Sequence, residues 1–172
     1  EKALLRLQLQ RIHQMHPGLK ATFHVAHSIF ATNRPEEIFA DSRVTRANGK
    51  LADWSGPDYS LEYYQKSPYF STKRANEGWR WAIYCPTLEN SFGKRLLQCA
   101  DVMVDELGCR AVFMDGFMIA YGGVWTYDRW DGHSAEIDPQ TKRLKRKLGS
   151  VLLLSQESLA AFARKVHEKG AT

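Results

Sequence analysis

An α/β fold, with parallel strands backed by outer helices, is predicted by three observations. The stretch Gly108-Cys-Arg-Ala-Val-Phe-Met-Asp-Gly-Phe is apolar on successive positions from Ala111 to Met114 and stops at Asp115-Gly116. A strand apolar on both faces belongs in a parallel sheet covered on both sides. Just upstream, Leu96, Leu97, Ala100, Val104 and Leu107 recur at helical spacing, and an apolar run, Trp79–Cys85, precedes them. Long aromatic and polar stretches follow each strand, while the turns that enter strands, Pro17-Gly18 and Gly108, are short.

Each element has its own signal. Residues 3–15 carry Leu4, Leu5, Leu7, Ile12 and Met15 on roughly one helical face, and Pro17-Gly18 ends that helix. Lys20–His27 reads as a strand with Phe23 and Val25 on one face. Pro35-Glu36-Glu37 suits the start of a short helix with Asn33 as its cap. Asn48-Gly49 is a turn signal, flanked by Arg43-Val-Thr-Arg and Lys50-Leu-Ala-Asp as a small hairpin. Residues 53–80 form a long excursion rich in Tyr, Trp, Ser, Pro and Gly, the kind of connection that usually serves function.

Trp79–Cys85 is the second strand, stopped by Pro86, and Asn90 or Ser91 caps the helix that follows. Gly108 closes that helix. Trp79–Asp115 therefore reads as one strand–helix–strand unit of parallel-crossover length. A second long loop runs from Asp115 to about Arg146. Ser150–Lys169 is helical, with Val151, Leu152, Leu159, Phe162, Ala163 and Val166 on one face and Gly170 at its close. Val151–Leu154 alone also fits a strand.

This order is that of part of a (β/α)8 barrel, which needs roughly 250 residues when complete. The expected architecture is a partial (β/α)8 TIM-barrel-like segment with parallel strands, outer helices and long loops after the strands. Residues 1–172 are expected to be a single domain, the central part of a larger barrel. A small free-standing α/β layer domain is the other arrangement that fits.

Composition narrows the function classes. A chain of 172 residues, 44% hydrophobic and 25% charged, can bury a real core. No apolar run approaches the roughly 20 residues of a membrane span, and no secretory signal is visible. The charge of +5 is mildly basic and concentrates at Lys142–Lys147. A basic α/β module on nucleic acid is weighed on that cluster and set aside, because the run reads as a loop leading into a helix. Cys85, Cys99 and Cys109 contain no C-x-x-C pair; buried free thiols are the default reading, and a disulfide between two of them is left open. His24 and His27, three apart on a strand, point to opposite faces. No metal and no cofactor is expected from these patterns, and G-x-S-x-G, G-x-G-x-x-G and P-loop motifs are all lacking.

Barrels build their chemistry at the carboxyl ends of strands, where Asp115 sits. The plainer reading is a turn made by Asp-Gly. Trp54, Tyr59, Trp125, Tyr127 and Trp130 lie among Asp, Arg and His in the loops. Flat rings beside such groups suit a sugar's C–H faces and hydroxyl rim, and a nucleobase nearly as well. Tyr63, Tyr64 and Tyr69 are expected simply to pack. His27, at a strand's end, suits a hydroxyl-binding role, whereas His24 is expected to be packed. Asp131-Gly132 reads as a turn, and Asp128 with Arg129 as either an ion pair or a clamp on a sugar hydroxyl.

Trp81-Ala-Ile-Tyr-Cys-Pro-Thr, the helix after it, Gly108–Phe117 and the loop from Thr126 to Pro139 together resemble the middle of a bacterial (β/α)8 glycoside hydrolase. The resemblance is to the α-galactosidase-like clan and its large uncharacterised relatives, and covers most of Lys20–Thr172. It implies a carbohydrate-active hydrolase in which Asp115 is the nucleophile. The clan's acid/base carboxylate lies on a later strand, so the partner acid is either outside these residues or supplied by Asp128, Asp131 or Glu136. Phe113 stands where the clan usually has Lys, two residues before the nucleophile.

The expected catalytic residues are Asp115 and Asp128, with His27, Trp81, Tyr84, Trp125, Tyr127, Arg129 and Trp130 as the sugar-facing wall. The expected partners are an oligo- or polysaccharide and the remainder of the same barrel, and the location would be secreted or periplasmic. The competing expectation is a non-catalytic carbohydrate-binding or degenerate barrel.

Overall fold

The computed structural model describes residues 2–53, 76–115 and 124–172. They form, in order, α1 (Lys2–Met15), β1 (Thr22–Ala26), β2 (Ile29–Thr32), β3 (Arg80–Ile83), α2 (Ser91–Asp101), β4 (Ala111–Asp115), β5 (Trp125–Thr126), β6 (Ala135–Ile137), β7 (Leu144–Lys147), β8 (Gly149–Ser150) and α3 (Val151–Glu168). Among the described residues the fold is mixed α/β, with three helices and small sheets, one of them a parallel pair. The described residues do not close a barrel. No described helix is long and apolar enough to cross a membrane. Trp54, Tyr59, Tyr63, Tyr64, Tyr69 and Gly116 lie outside the described residues.

The parallel pair is β1 with β4, from Thr22 opposite Ala111 to Ala26 opposite Asp115. Alternation along the strands then fixes two faces. Phe23, Val25, Val112 and Met114 point one way and pack against a core of Leu9, Phe92, Leu96, Ala100, Met103, Phe162 and Val166. Side chains of this kind are worth about 1.5–3 kcal/mol each when fully buried, so this face anchors the sheet to the helices. Thr22, His24, Ala26, Ala111, Phe113 and Asp115 point the other way. That face is open, with Phe113 57% exposed. The expectation of a strand covered on both sides therefore holds for the helix side only.

Past α3, Thr172 N–H donates to Arg110 O at 3.1 Å and Val112 N–H donates to Thr172 O at 2.8 Å. This alternation is that of a parallel ladder on the edge of β4 not used by β1.

The strand–helix–strand unit differs from the sequence expectation. Arg80–Ile83 does not run parallel to β4; it pairs antiparallel with β2, Ile29 opposite Ile83 and Thr32 opposite Arg80. Its other edge meets the Asn48-Gly49 hairpin through bridges from Tyr84 to Arg43 and Ala82 to Asp53. The partner of the parallel unit is β1, and β2, the hairpin and β3 are inserted before α2. A short apolar run fits either pairing, and its partner is decided by contacts distant in sequence.

Helix α2 begins with its donors satisfied. Ser91 N–H donates to Asp41 Oδ2 at 2.9 Å, Phe92 N–H to Ser42 Oγ at 3.1 Å and Gly93 N–H to Asn90 Oδ1 at 2.9 Å. These are groups a helix start otherwise leaves orphaned. The helix widens into a π turn over Val102–Glu106 and ends at Gly108, φ +72°. Helix α3 covers Val151–Leu154, settling that stretch as helix. It is tied to α2 by Lys165 and Lys169 on Asp101.

Three further expectations change. Residues 35–39 are turns rather than a helix, followed by a 3-10 turn at Ala40–Ser42. On α1, Leu5 and Leu9 face the core while Leu4, Leu7 and Met15 are exposed, because the leucines span more than one face. Lys142–Lys147 is not a plain loop: Leu144–Lys147 is a strand paired with β6. It has no apolar period, and Glu136 holds it through Lys145 and Arg146.

Candidate functional site

The carboxyl end of the parallel pair brings two chemically active side chains together. The register sets Asp115 opposite Ala26 and His24 opposite Phe113, so Asp115 and His24 are diagonal neighbours on the open face. His24 Nε2 lies 2.9 Å from Asp115 Oδ2, with both side chains more than half exposed. An ionised carboxylate only accepts, so Nε2 carries the proton in this contact. The Phe113 ring lies against the imidazole, centroids 5.9 Å apart and planes 32° apart. His27 N–H donates to the Asp115 backbone carbonyl at 3.0 Å. The carboxylate is therefore presented on a face, at a strand end.

His24 was expected to be packed and is not. The signal was present in the alternation of the strand, which sets His24 against Phe23 and Val25, but the sequence does not give the register with β4.

His27 is 1% exposed, with Nδ1 2.8 Å from Ser28 Oγ, and burial lowers its pKa to about 4. It is a neutral, enclosed imidazole rather than a surface hydroxyl binder. Tyr84 is fully buried among Phe39 and Phe92, and burial raises its pKa to about 12. It belongs to the core, not to a wall. Trp81 lies on β3 opposite Ala31, half-buried.

The remaining expected wall residues share one loop. Trp125 sits on β5 opposite Ser150, partly exposed. Tyr127 N–H donates to Thr45 O at 2.9 Å, and the Arg146 guanidinium lies over its ring at 4.4 Å. Trp130 donates Nε1–H to Ser134 O at 3.0 Å, and Lys147 Nζ covers its ring at 3.9 Å. Arg129 donates to Arg43 O at 2.8 Å and to Asp128 Oδ2 at 3.1 Å.

The loop's carboxylates are held by neighbours. Asp128 accepts from Thr45 Oγ1 at 3.3 Å and from Thr126 Oγ1 and Arg129. Burial pushes its pKa up, but the bonds from Arg129 and Thr126 outweigh that and hold it below the usual range. Such a carboxylate suits structure better than proton donation. Asp131 accepts from His133 N–H, Ser134 N–H, Ser134 Oγ–H and Ser150 N–H. Burial raises its pKa and these four bonds overcome it, leaving it far below the ordinary carboxylate range. Gly132, φ +90°, completes the turn read from Asp131-Gly132.

A cavity of about 310 Å³ opens between β1 and α2, lined by Phe23, Val25, Phe92, Leu96, Cys99 and Met103. Most of its lining is apolar, and His24 and Arg95 also line it. Cys85, Cys99 and Cys109 are free thiols whose pKa values burial raises. Among the described residues no cluster of His, Cys, Asp and Glu is arranged to hold a metal ion. No family model matches the chain, and no curated protein or solved structure matches it significantly.

Proposed function

We propose that the chain is part of a carbohydrate-active hydrolase of partial (β/α)8-barrel architecture, with Asp115 as the nucleophile on a glycosidic bond. One observation carries this reading: a carboxylate at the carboxyl end of a parallel strand, more than half exposed on the strand's open face. Two successive strand-to-strand passages through a helix, β1 to β4 and β4 to the Thr172 pairing, support the barrel part of it.

In the reaction the Asp115 carboxylate oxygen bonds to the anomeric carbon as the glycosidic C–O bond breaks. The bonding pair leaves on the departing oxygen, which takes a proton from a carboxylic acid. That acid must hold its proton near neutral pH. Asp128, Asp131 and Glu136 are all held in their charged forms by their partners, so the proposed acid is a carboxyl group elsewhere in the same barrel. The partner is an oligo- or polysaccharide, and a secreted or periplasmic location would follow.

A second reading, a degenerate barrel that binds glycans without cleaving them, is favoured by those same occupied loop acids. Asp115→Asn in the complete protein separates the two. Turnover is measured on a panel of dinitrophenyl glycosides, whose leaving group needs no proton, and binding on a panel of polysaccharides. A loss of roughly a thousandfold or more in kcat with binding retained supports the nucleophile. Unchanged turnover contradicts it. Glycan binding by a wild-type protein that turns over none of the panel favours the second reading.

A further inference from the structure

We infer that His24 is a positioning residue for Asp115, fixing the plane of the carboxyl group through the Nε2–Oδ2 contact. The inference rests on the nucleophile reading and concerns the same site.

Among the described residues, β1 and its exit hold Asp115 through both backbone and side chain. The His27 N–H takes its backbone carbonyl at 3.0 Å, and His24 takes its carboxylate at 2.9 Å. Ala26 stands directly opposite Asp115 on that face. Phe113, opposite His24 in the register, lies against the His24 ring. Three side chains on one face thus form a chain of contact from ring to ring to carboxylate.

Stability does not account for the pair. Both partners are more than half exposed, and exposed ion pairs contribute little. Orientation does: a carboxylate displaced by about 1 Å from its line of attack can lose a hundredfold in rate. The sequence places a histidine on the open face of β1, whose other positions on that face are Thr22 and Ala26.

The test uses the complete protein and the substitutions His24→Leu and His24→Gln. The Gln amide can place a donor near the position of Nε2, and Leu cannot. With the most reactive dinitrophenyl glycoside, His24→Leu is expected to lower kcat by roughly tenfold to a hundredfold while KM stays within about twofold. His24→Gln is expected to recover most of that loss. Thermal midpoints of both variants should match the wild type, as an exposed pair predicts. Wild-type kcat in His24→Leu overturns the inference and leaves the nucleophile reading standing. Equal losses in the two variants also overturn it, since the donor would then not matter. A wild-type protein that turns over no glycoside of the panel removes the nucleophile reading and this inference with it.

Discussion

The carboxyl end of β1 and β4 and the loop from Val124 to Ser150 hold similar kinds of side chain under opposite conditions. The loop is the richer in chemistry, with Asp128, Asp131, Glu136, Arg129 and three aromatic rings. Its groups satisfy one another: Asp131 takes four donors, Glu136 takes Lys145 and Arg146, and cations lie over Tyr127 and Trp130. Among the described residues, the strand end pairs the Asp115 carboxylate with the His24 imidazole, each more than half exposed on a face whose other side packs on the helices. In the loop, polar side chains replace a hydrophobic core as the means of holding short strands.

The contrast breaks most severely at a glycine. A Cβ on Gly93 would stand 1.7 Å from Thr87 O and 2.7 Å from Thr87 C, both backbone atoms. Gly93→Ala should therefore force α2 off its seat and cost about 3 kcal/mol, read as a lower urea midpoint. In the loop, a Cβ on Gly149 would meet the flexible Leu154 Cδ1 at 2.7 Å and Arg129 O at 2.9 Å. Gly149→Ala should cost less, about 1–2 kcal/mol. Equal costs would mean that the start of α2 and the loop are fixed with the same rigidity.

Acid should also separate the regions, by pH window. His27 is depressed from 6.5 to about 4, so the unfolded chain takes up this proton before the folded one does. The stability from keeping His27 neutral is complete above about pH 6.5 and lost as pH falls toward 4, by at most about 3 kcal/mol. Global stability in urea should fall across that window, and His27→Gln should flatten the slope. A slope unchanged in His27→Gln assigns it to another group.

Asp131 is also depressed, but as an acid: its contribution is present above about pH 4, the ordinary Asp value, and lost below it. Asp131→Ala leaves the Ser134 and Ser150 N–H groups without their acceptor and should open the loop by about 1–2 kcal/mol. Hydrogen exchange at those two amides reads it. Unchanged exchange would show that other contacts carry the loop.

What the sequence made legible was local. The periodicity over Leu96–Leu107, the Asn90 cap, the glycine closures at Gly108 and Gly170, and the Asn48-Gly49 hairpin all depend on neighbours within a few residues. So does the Asp131-Gly132 turn. The parallel partner of β4, the antiparallel seat of Arg80–Ile83 and the contact of His24 with Asp115 depend on residues 48 to 91 positions away. Tyr84 shows the same limit. In Trp-Arg-Trp-Ala-Ile-Tyr-Cys either set of alternating positions could face the core, and Phe39 and Phe92 decide for Ala82 and Tyr84. The charged strand Leu144–Lys147 has no apolar signal at all, because ion pairs to Glu136 replace burial.

The central claim is that the exposed strand end, and not the saturated loop, meets the sugar's reacting carbon. The most direct measurement treats the complete protein with a panel of deoxyfluoroglycosyl fluorides, reagents that trap a glycosidase nucleophile as a stable ester, and locates the label by peptide mass spectrometry. The account predicts one glycosyl group on Asp115 and none on the loop carboxylates. A label on Asp128, Asp131 or Glu136, with Asp115 unmodified, would contradict it.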